Sequence, residues 1–137
     1  MKANGLNHEH NSRRILVIED DDALRSVLME ELTAAGYHVI PAVDGAEGAQ
    51  KVLQSSGSSS FDLIITDIKM PRMSGKGLLA VAKEHCPSVP VIAITSYGND
   101  LEFLKPSQTG FFSYLRKPFK MEELNTAVQA GLRQGGG

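Results

Sequence analysis

Short apolar, β-branched runs alternate along the chain with segments whose apolar residues recur every three or four positions. Unbroken apolar runs suit strands covered on both faces, while the longer spacing suits helices with one buried side. The alternation predicts five βαβ-type units around a parallel sheet. The predicted strands are Ile15–Ile18 (ILVI), Val39–Ile40, Leu63–Thr66 (LIIT), Val91–Thr95 (VIAIT) and Ser113–Arg116 (SYLR). Pro41 ends the second strand and places it at an outer edge, because proline has no N–H to give to a ladder.

The first helix is predicted from about Asp22, with Leu24, Val27, Leu28 and Leu32 inward and Gly36 as its stop. A second runs from about Gly45 to Gln54 with Ala46, Ala49, Val52 and Leu53 inward, then dissolves in the flexible loop SSGSSS. Leu78, Leu79 and Ala82 mark a third, stopped by Pro87 and Pro90, and Met121, Leu124 and Val128 mark the last. Between Gly98 and Pro106 a short helix is expected to end before Pro106, which cannot sit inside a regular helix. Residues 1–13 read as a flexible N-terminal tail, 14–132 as the domain, and 133–137 as a flexible, glycine-ended tail.

Length and composition narrow the field. A chain of 137 residues, 42% of them apolar, suits one domain and leaves no room for a second catalytic or DNA-binding one. Fourteen Lys and Arg stand against sixteen Asp and Glu, with no block of like charge to track a phosphate backbone, so no direct nucleic-acid partner is expected. No apolar run approaches the roughly 20 residues that span a bilayer, and the polar start lacks a signal-peptide core. The expectation is a cytoplasmic protein without membrane insertion. Cys86 is the single cysteine and reads as a helix-end residue, with no intramolecular partner. His8 and His10 read as solvated, and His38 and His85 lack ligand-like spacing.

In an open parallel sheet, ligands bind outside the carboxyl ends of the strands, so the chemistry is sought at strand exits. The first strand exits into Glu19-Asp20-Asp21-Asp22, the third into Asp67, the fourth into Thr95-Ser96 and the fifth into Lys117-Pro118. Clustered carboxylates raise one another's pKa unless a hard cation neutralises them, and Mg²⁺ suits Glu19, Asp20 and Asp67 because it keeps positions open for phosphate oxygens. Lys117 and Thr95 then supply an ammonium and a hydroxyl for a transferring phosphoryl group. Asp67, alone at its strand exit, is the expected nucleophile, forming an aspartyl phosphate.

With these motifs in order, the chain resembles a receiver domain of the two-component response-regulator family from about Arg14 to Leu132. The resemblance rests on Glu19-Asp20 after ILVI, LIITDIKMPRMSG with Asp67, VIAITS with Thr95 and YLRKPF with Lys117. It implies a doubly wound, flavodoxin-like sheet of order 2-1-3-4-5 with helices on both faces. It further implies that Asp67 takes a phosphoryl group from a phosphohistidine on a sensor histidine kinase or histidine phosphotransfer protein. Mg²⁺ would be held by Glu19, Asp20, Asp67 and the backbone carbonyl of Lys69. Thr95 would follow the phosphoryl group inward and Tyr114 would change rotamer with it, and the Lys117–Pro118 bond would be cis. Lys69 and Tyr97 fall at rim positions that tune phosphoryl lifetime, a bulky Tyr97 favouring a longer-lived state. The downstream target would be a protein reading Tyr114, the 97–112 stretch and the last helix, and a phosphorylation-dependent dimer is left open. The chain departs from the family in its Glu-Asp acidic pair and in Pro106 and Thr109-Gly110-Phe111-Phe112.

Plainer readings stand beside these. Asp22 reads as a helix-start residue. Thr95 or Lys117 alone could be a strand end and a solvated lysine, and Tyr114 could be packing as well as switch. Asp20 and Asp22 begin a calcium-loop spacing, but Leu24 and Arg25 stand where a ligand and a glycine are needed. Three function classes remain: a phospho-accepting switch, a pseudo-receiver that binds partners without phosphorylation, and a haloacid-dehalogenase-type phosphatase with Asp20 as nucleophile.

Overall fold

The computed structural model describes residues 13–70, 72–96 and 105–136. His8, His10 and Tyr97 lie outside them. Five strands form one all-parallel sheet: β1 (Arg14–Ile18), β2 (His38–Ala42), β3 (Leu63–Asp67), β4 (Val91–Thr95) and β5 (Ser113–Arg116), in the order β2-β1-β3-β4-β5. This is the doubly wound, flavodoxin-like order that the resemblance implies.

Side chains alternate across the central strands, so each strand feeds two cores. Ile15, Val17, Leu63, Ile65, Ile92 and Ile94 pack beneath α1 (Asp22–Ala34) and α5 (Met121–Gly136), against Leu28, Leu32, Leu124 and Val128. Leu16, Ile18, Ile64, Val91 and Ala93 face α2 (Gly45–Gln54) and α3 (Gly75–His85), against Ala49, Val52, Leu78 and Ala82. All five residues of β3 and of β4 are buried, which explains why neither shows a polar alternation.

Local chemistry sets the helix ends. Asp21 caps α1, its carboxylate accepting the N–H groups of Ala23 and Leu24. Gly36, at φ 101°, closes the same helix, a conformation that only glycine adopts without a Cβ penalty. Asp44 caps α2 and Ser74 caps α3 in the same side-chain-to-backbone way. Cys86 is the C-cap of α3, the helix-end position expected, and burial raises its thiol pKa and disfavours the reactive thiolate.

Several expectations need correction. β2 runs through Pro41, pairing it with Val17, instead of stopping there. The carbonyl of Pro41 accepts from Lys51 Nζ at 2.7 Å on the outer edge, and because a strand residue's N and C=O point the same way, the missing N–H faces that edge too. Val27 and Leu53, expected inward, are 45% and 58% exposed. The buried stripe of α1 is Leu28 and Leu32, and that of α2 is Gly45, Gly48, Ala49 and Val52, so Val27 and Leu53 each sit about 100° round the helix from a buried neighbour. Ser55 is buried and Gly57–Ser59 form a single 3-10 turn inside the loop expected to be wholly irregular. α5 continues through Gly136, so residues 133–136 are helical where the glycines predict no element. The stretch expected to carry a short helix ending before Pro106 lies mostly outside the described residues. A one-turn helix, α4 (Pro106–Thr109), instead begins at the proline, the position where an absent N–H breaks no intrahelical bond.

Candidate functional site

The carboxyl ends of β1, β3, β4 and β5 meet at one rim. The β3–β4 register sets Asp67 opposite Ile94, one residue before Thr95. The Lys117 N–H donates to the Thr95 carbonyl at 2.7 Å, which pins the β5 exit to the β4 exit. The Lys117–Pro118 bond is cis, as the resemblance implies. A carboxylate oxygen from each of Glu19, Asp20 and Asp67 lies within 4.8 Å of the others. Lys117 Nζ stands 3.3 Å from Asp67 Oδ2 and 3.8 Å from Glu19 Oε1. Thr95 is buried beside them.

Each acid is held differently. Asp67 Oδ1 accepts the N–H of Ile68 at 2.8 Å, and Thr66 Oγ1 donates to the Asp67 carbonyl at 3.0 Å. Gly75 packs against the same peptide: a Cβ there would lie 2.5 Å from the Asp67 carbonyl oxygen, so the first turn of α3 can approach β3 only as glycine. Glu19 is 0% exposed; its Oε2 accepts the Asp21 N–H at 3.1 Å, while its Oε1 has no hydrogen bond. Burial pushes its carboxyl from an ordinary 4.5 up to about 7. The Asp21 N–H and the Lys117 charge pull it down, and the Asp67 charge pushes it further up. Asp20 is exposed, and no hydrogen bond to its side chain occurs among the described residues.

Three carboxylates, one of them buried with an oxygen that accepts no hydrogen bond, suit a small divalent cation. The single ammonium of Lys117 leaves the three carboxylates undercompensated, and its reach to both Asp67 and Glu19 places one positive charge beside any group carried by Asp67. The arrangement can hold a cation and stabilise a phosphoryl group.

The remaining predicted residues fall around this rim. Lys69 is exposed just past β3. Tyr114 is partly buried on β5; its hydroxyl lies 2.9 Å from Thr109 Oγ1 and its ring meets Phe111 edge-on at 6.1 Å. Asp22 is exposed in the first turn of α1, where its plainer reading puts it. His38 is exposed, and His85 Nε2 lies 3.0 Å from the Ser55 carbonyl at the base of α2. Two residues escaped the sequence reading. Arg25 donates to the Glu19 carbonyl at 2.8 Å, signalled only by its place three residues after Asp22. Arg72, at φ 75°, pairs with Asp44 across 3.3 Å and ties the turn after β3 to the start of α2.

Residues 15–129 match the response regulator receiver domain family. The chain belongs to that family. This receiver domain is 34% identical over 125 residues to the transcriptional regulatory protein GlrR of Escherichia coli K12, covering 91% of this chain but 27% of GlrR. It thus spans about a quarter of that relative's length. It superposes with a TM-score of 0.81 and 28% identity on a CheY-like response regulator receiver domain protein from Methanospirillum hungatei, covering 90% of this chain and 96% of that one. It also resembles the receiver domain of the sensor histidine kinase PA1611 of Pseudomonas aeruginosa PAO1, with a TM-score of 0.75, 28% identity and coverage of 91% and 98%. That protein holds a magnesium ion in its active-site cleft. Receiver domains are signalling switches that partner with histidine kinases. No helix among the described residues is long and apolar enough to cross a membrane.

Proposed function

We propose that this receiver domain accepts a phosphoryl group on Asp67 from a phosphohistidine of a sensor histidine kinase or a histidine phosphotransfer protein. The observation that carries the reading is the convergence of Lys117 Nζ, 3.3 Å from Asp67 Oδ2, with the Glu19-Asp20-Asp67 cluster at one rim. A carboxylate oxygen of Asp67 attacks phosphorus and forms a P–O bond. The N–P bond breaks, and a donor ring protonated on its other nitrogen leaves as neutral imidazole. Lys117 offsets charge on the equatorial oxygens, and the buried Thr95 hydroxyl receives the phosphoryl group as it enters. Glu19, Asp20, Asp67 and the Lys69 carbonyl would hold Mg²⁺, which when bound neutralises the phosphoryl oxygens.

Movement of Thr95 is read out through Tyr114, whose contacts with Thr109 and Phe111 belong to the same side of the domain as β5. Such coupling shifts a pre-existing equilibrium between two arrangements and so changes which protein partner binds the face of Tyr114 and α5. Lys69 and Tyr97, each two residues beyond Asp67 and Thr95, set how readily water reaches the phosphoryl group.

Incubation with acetyl phosphate and Mg²⁺, followed by intact-mass measurement, tests the reading. The wild-type chain should gain one phosphoryl group and Asp67→Asn none. Modification that persists in Asp67→Asn and vanishes in Asp20→Asn would assign the chemistry to a phosphatase-type nucleophile, and no modification at all would leave a pseudo-receiver.

A further inference from the structure

Asp20 poses a positional problem. It is exposed, no hydrogen bond reaches its side chain among the described residues, and it faces two other carboxylates, yet its oxygen lies within 4.8 Å of theirs. Carboxylate repulsion would turn an untethered side chain of this kind outward into water. Its placement must therefore come from the backbone on either side of it.

Several bonds tie that backbone: the Glu19 N–H donates to the Ala42 carbonyl at 3.1 Å, Glu19 Oε2 accepts the Asp21 N–H at 3.1 Å and Asp21 caps α1, while one further side chain reaches across the segment from Glu19 to Asp22. Arg25, on the first turns of α1, has a side chain only 17% exposed. Its NH1 donates to the Glu19 carbonyl at 2.8 Å and its NH2 reaches Asp22 Oδ1 at 2.6 Å. The planar guanidinium thus spans from the peptide that immediately precedes Asp20 to the carboxylate two residues after it. The Arg25 N–H also donates to the Asp21 carbonyl at 2.9 Å, closing the first helical turn over the same segment. Resting on the reading of Glu19, Asp20 and Asp67 as a Mg²⁺ site, we infer that Arg25 is a positioning residue that fixes Asp20 toward the cation by clamping the Glu19–Asp22 turn.

The two arms of the clamp are unequal. The Asp22 side chain is 88% exposed, so that pair is screened by water and holds little. The bond to the Glu19 carbonyl is partly buried and charge-assisted, and it acts on the peptide that carries Asp20. Partners of metal ligands typically change metal affinity by about 10- to 100-fold when removed.

Mg²⁺ titration by isothermal calorimetry at pH 8, paired with urea melts in EDTA, tests this on the full chain. Arg25→Ala should raise the Mg²⁺ Kd about tenfold, Asp22→Asn should leave it within about twofold, and Arg25→Lys should recover part of the loss by restoring one donor. The urea midpoint in EDTA separates positioning from general destabilisation. Unchanged Mg²⁺ affinity in Arg25→Ala would overturn the inference, as would equal losses in Arg25→Ala and Asp22→Asn, or a Kd that follows the urea midpoint across all three variants. Asp20→Asn is the control for the underlying site. If the wild type fails to bind Mg²⁺, or binds it as well in Asp20→Asn, the site reading itself fails. Loss in Asp20→Asn with none in Arg25→Ala refutes only the positioning role.

Discussion

Glu19→Gln should make the metal-free protein more stable, by an amount that grows with pH. Glu19 is 0% exposed, and its carboxyl is pushed from 4.5 up to about 7 by burial, with the Asp67 charge adding to the shift. Below pH 4.5 the group is protonated in both the folded and unfolded chain and contributes nothing to the difference. Between 4.5 and 7 the unfolded chain releases its proton while the folded one retains it, so stability falls as pH rises, and above 7 the loss is complete. At 1.36 kcal/mol per unit the loss is about 3 kcal/mol at pH 8 and about 1 kcal/mol at pH 5. Glutamine keeps the shape and the neutral state.

Urea melts in EDTA at pH 5 and pH 8 measure the effect directly. The variant should exceed the wild type by about 3 kcal/mol at pH 8, which is roughly 10 °C in Tm for a domain of this size, and by far less at pH 5. Added Mg²⁺ should reverse the order at pH 8, because a cation that binds only the folded state stabilises the wild type and favours its ionised Glu19. A variant no more stable than wild type at pH 8, or one whose gain is the same at both pH values, would refute the reasoning.

Other substitutions test the packing that supports the rim. Gly75→Ala places a Cβ 2.5 Å from the Asp67 carbonyl oxygen and 2.9 Å from Ile68 Cα, and should cost about 1–3 kcal/mol in urea melts while slowing labelling by acetyl phosphate. Leu28→Ala, at 0% exposure, should cost about 2–5 kcal/mol, whereas Leu53→Ala, at 58%, should fall within about 0.5 kcal/mol of wild type, and the two melting curves check the corrected helix faces. Asp44→Ala removes both the cap on the Glu47 N–H and the Arg72 pair, and a urea midpoint lowered by about 1 kcal/mol would match the loss of a helix cap.

The sheet was readable because β3 and β4 are buried on both faces and therefore carry uninterrupted apolar runs, which leave Asp67 and Thr95 as abrupt polar exits. Strand exits in a parallel sheet share one rim, so residues 50 positions apart in sequence, such as Asp67 and Lys117, can be placed together from the strand pattern alone. Helix faces were less readable. A three-or-four spacing does not say which flank of the stripe meets the sheet, and Val27 and Leu53 fell on the wrong side of that choice. Arg25 left only its three-residue spacing from Asp22, because its main contact is to a backbone carbonyl, and Arg72 left no signal, because its pair with Asp44 depends on a positive-φ turn.

The contacts around Glu19 join stability to function at one atom. Three carboxylates gathered around one ammonium would disperse if each were free to move, and the fold prevents this by different means: burial for Glu19, a backbone N–H for Asp67 and a clamped turn for Asp20. Holding Glu19 buried beside Asp67 is a standing free-energy cost in the metal-free state: burial chiefly, and the Asp67 charge further, raise its pKa. On the proposed reading, a cation relieves that cost and a phosphoryl group on Asp67 then restores negative charge next to it, drawing Lys117 and Thr95 inward. A site whose acids were well paired from the start would bind neither group strongly, because nothing would be left to gain. Glu19 Oε1, which accepts no hydrogen bond and has only the Lys117 ammonium at 3.8 Å, is therefore better understood as part of how the site responds than as a packing defect.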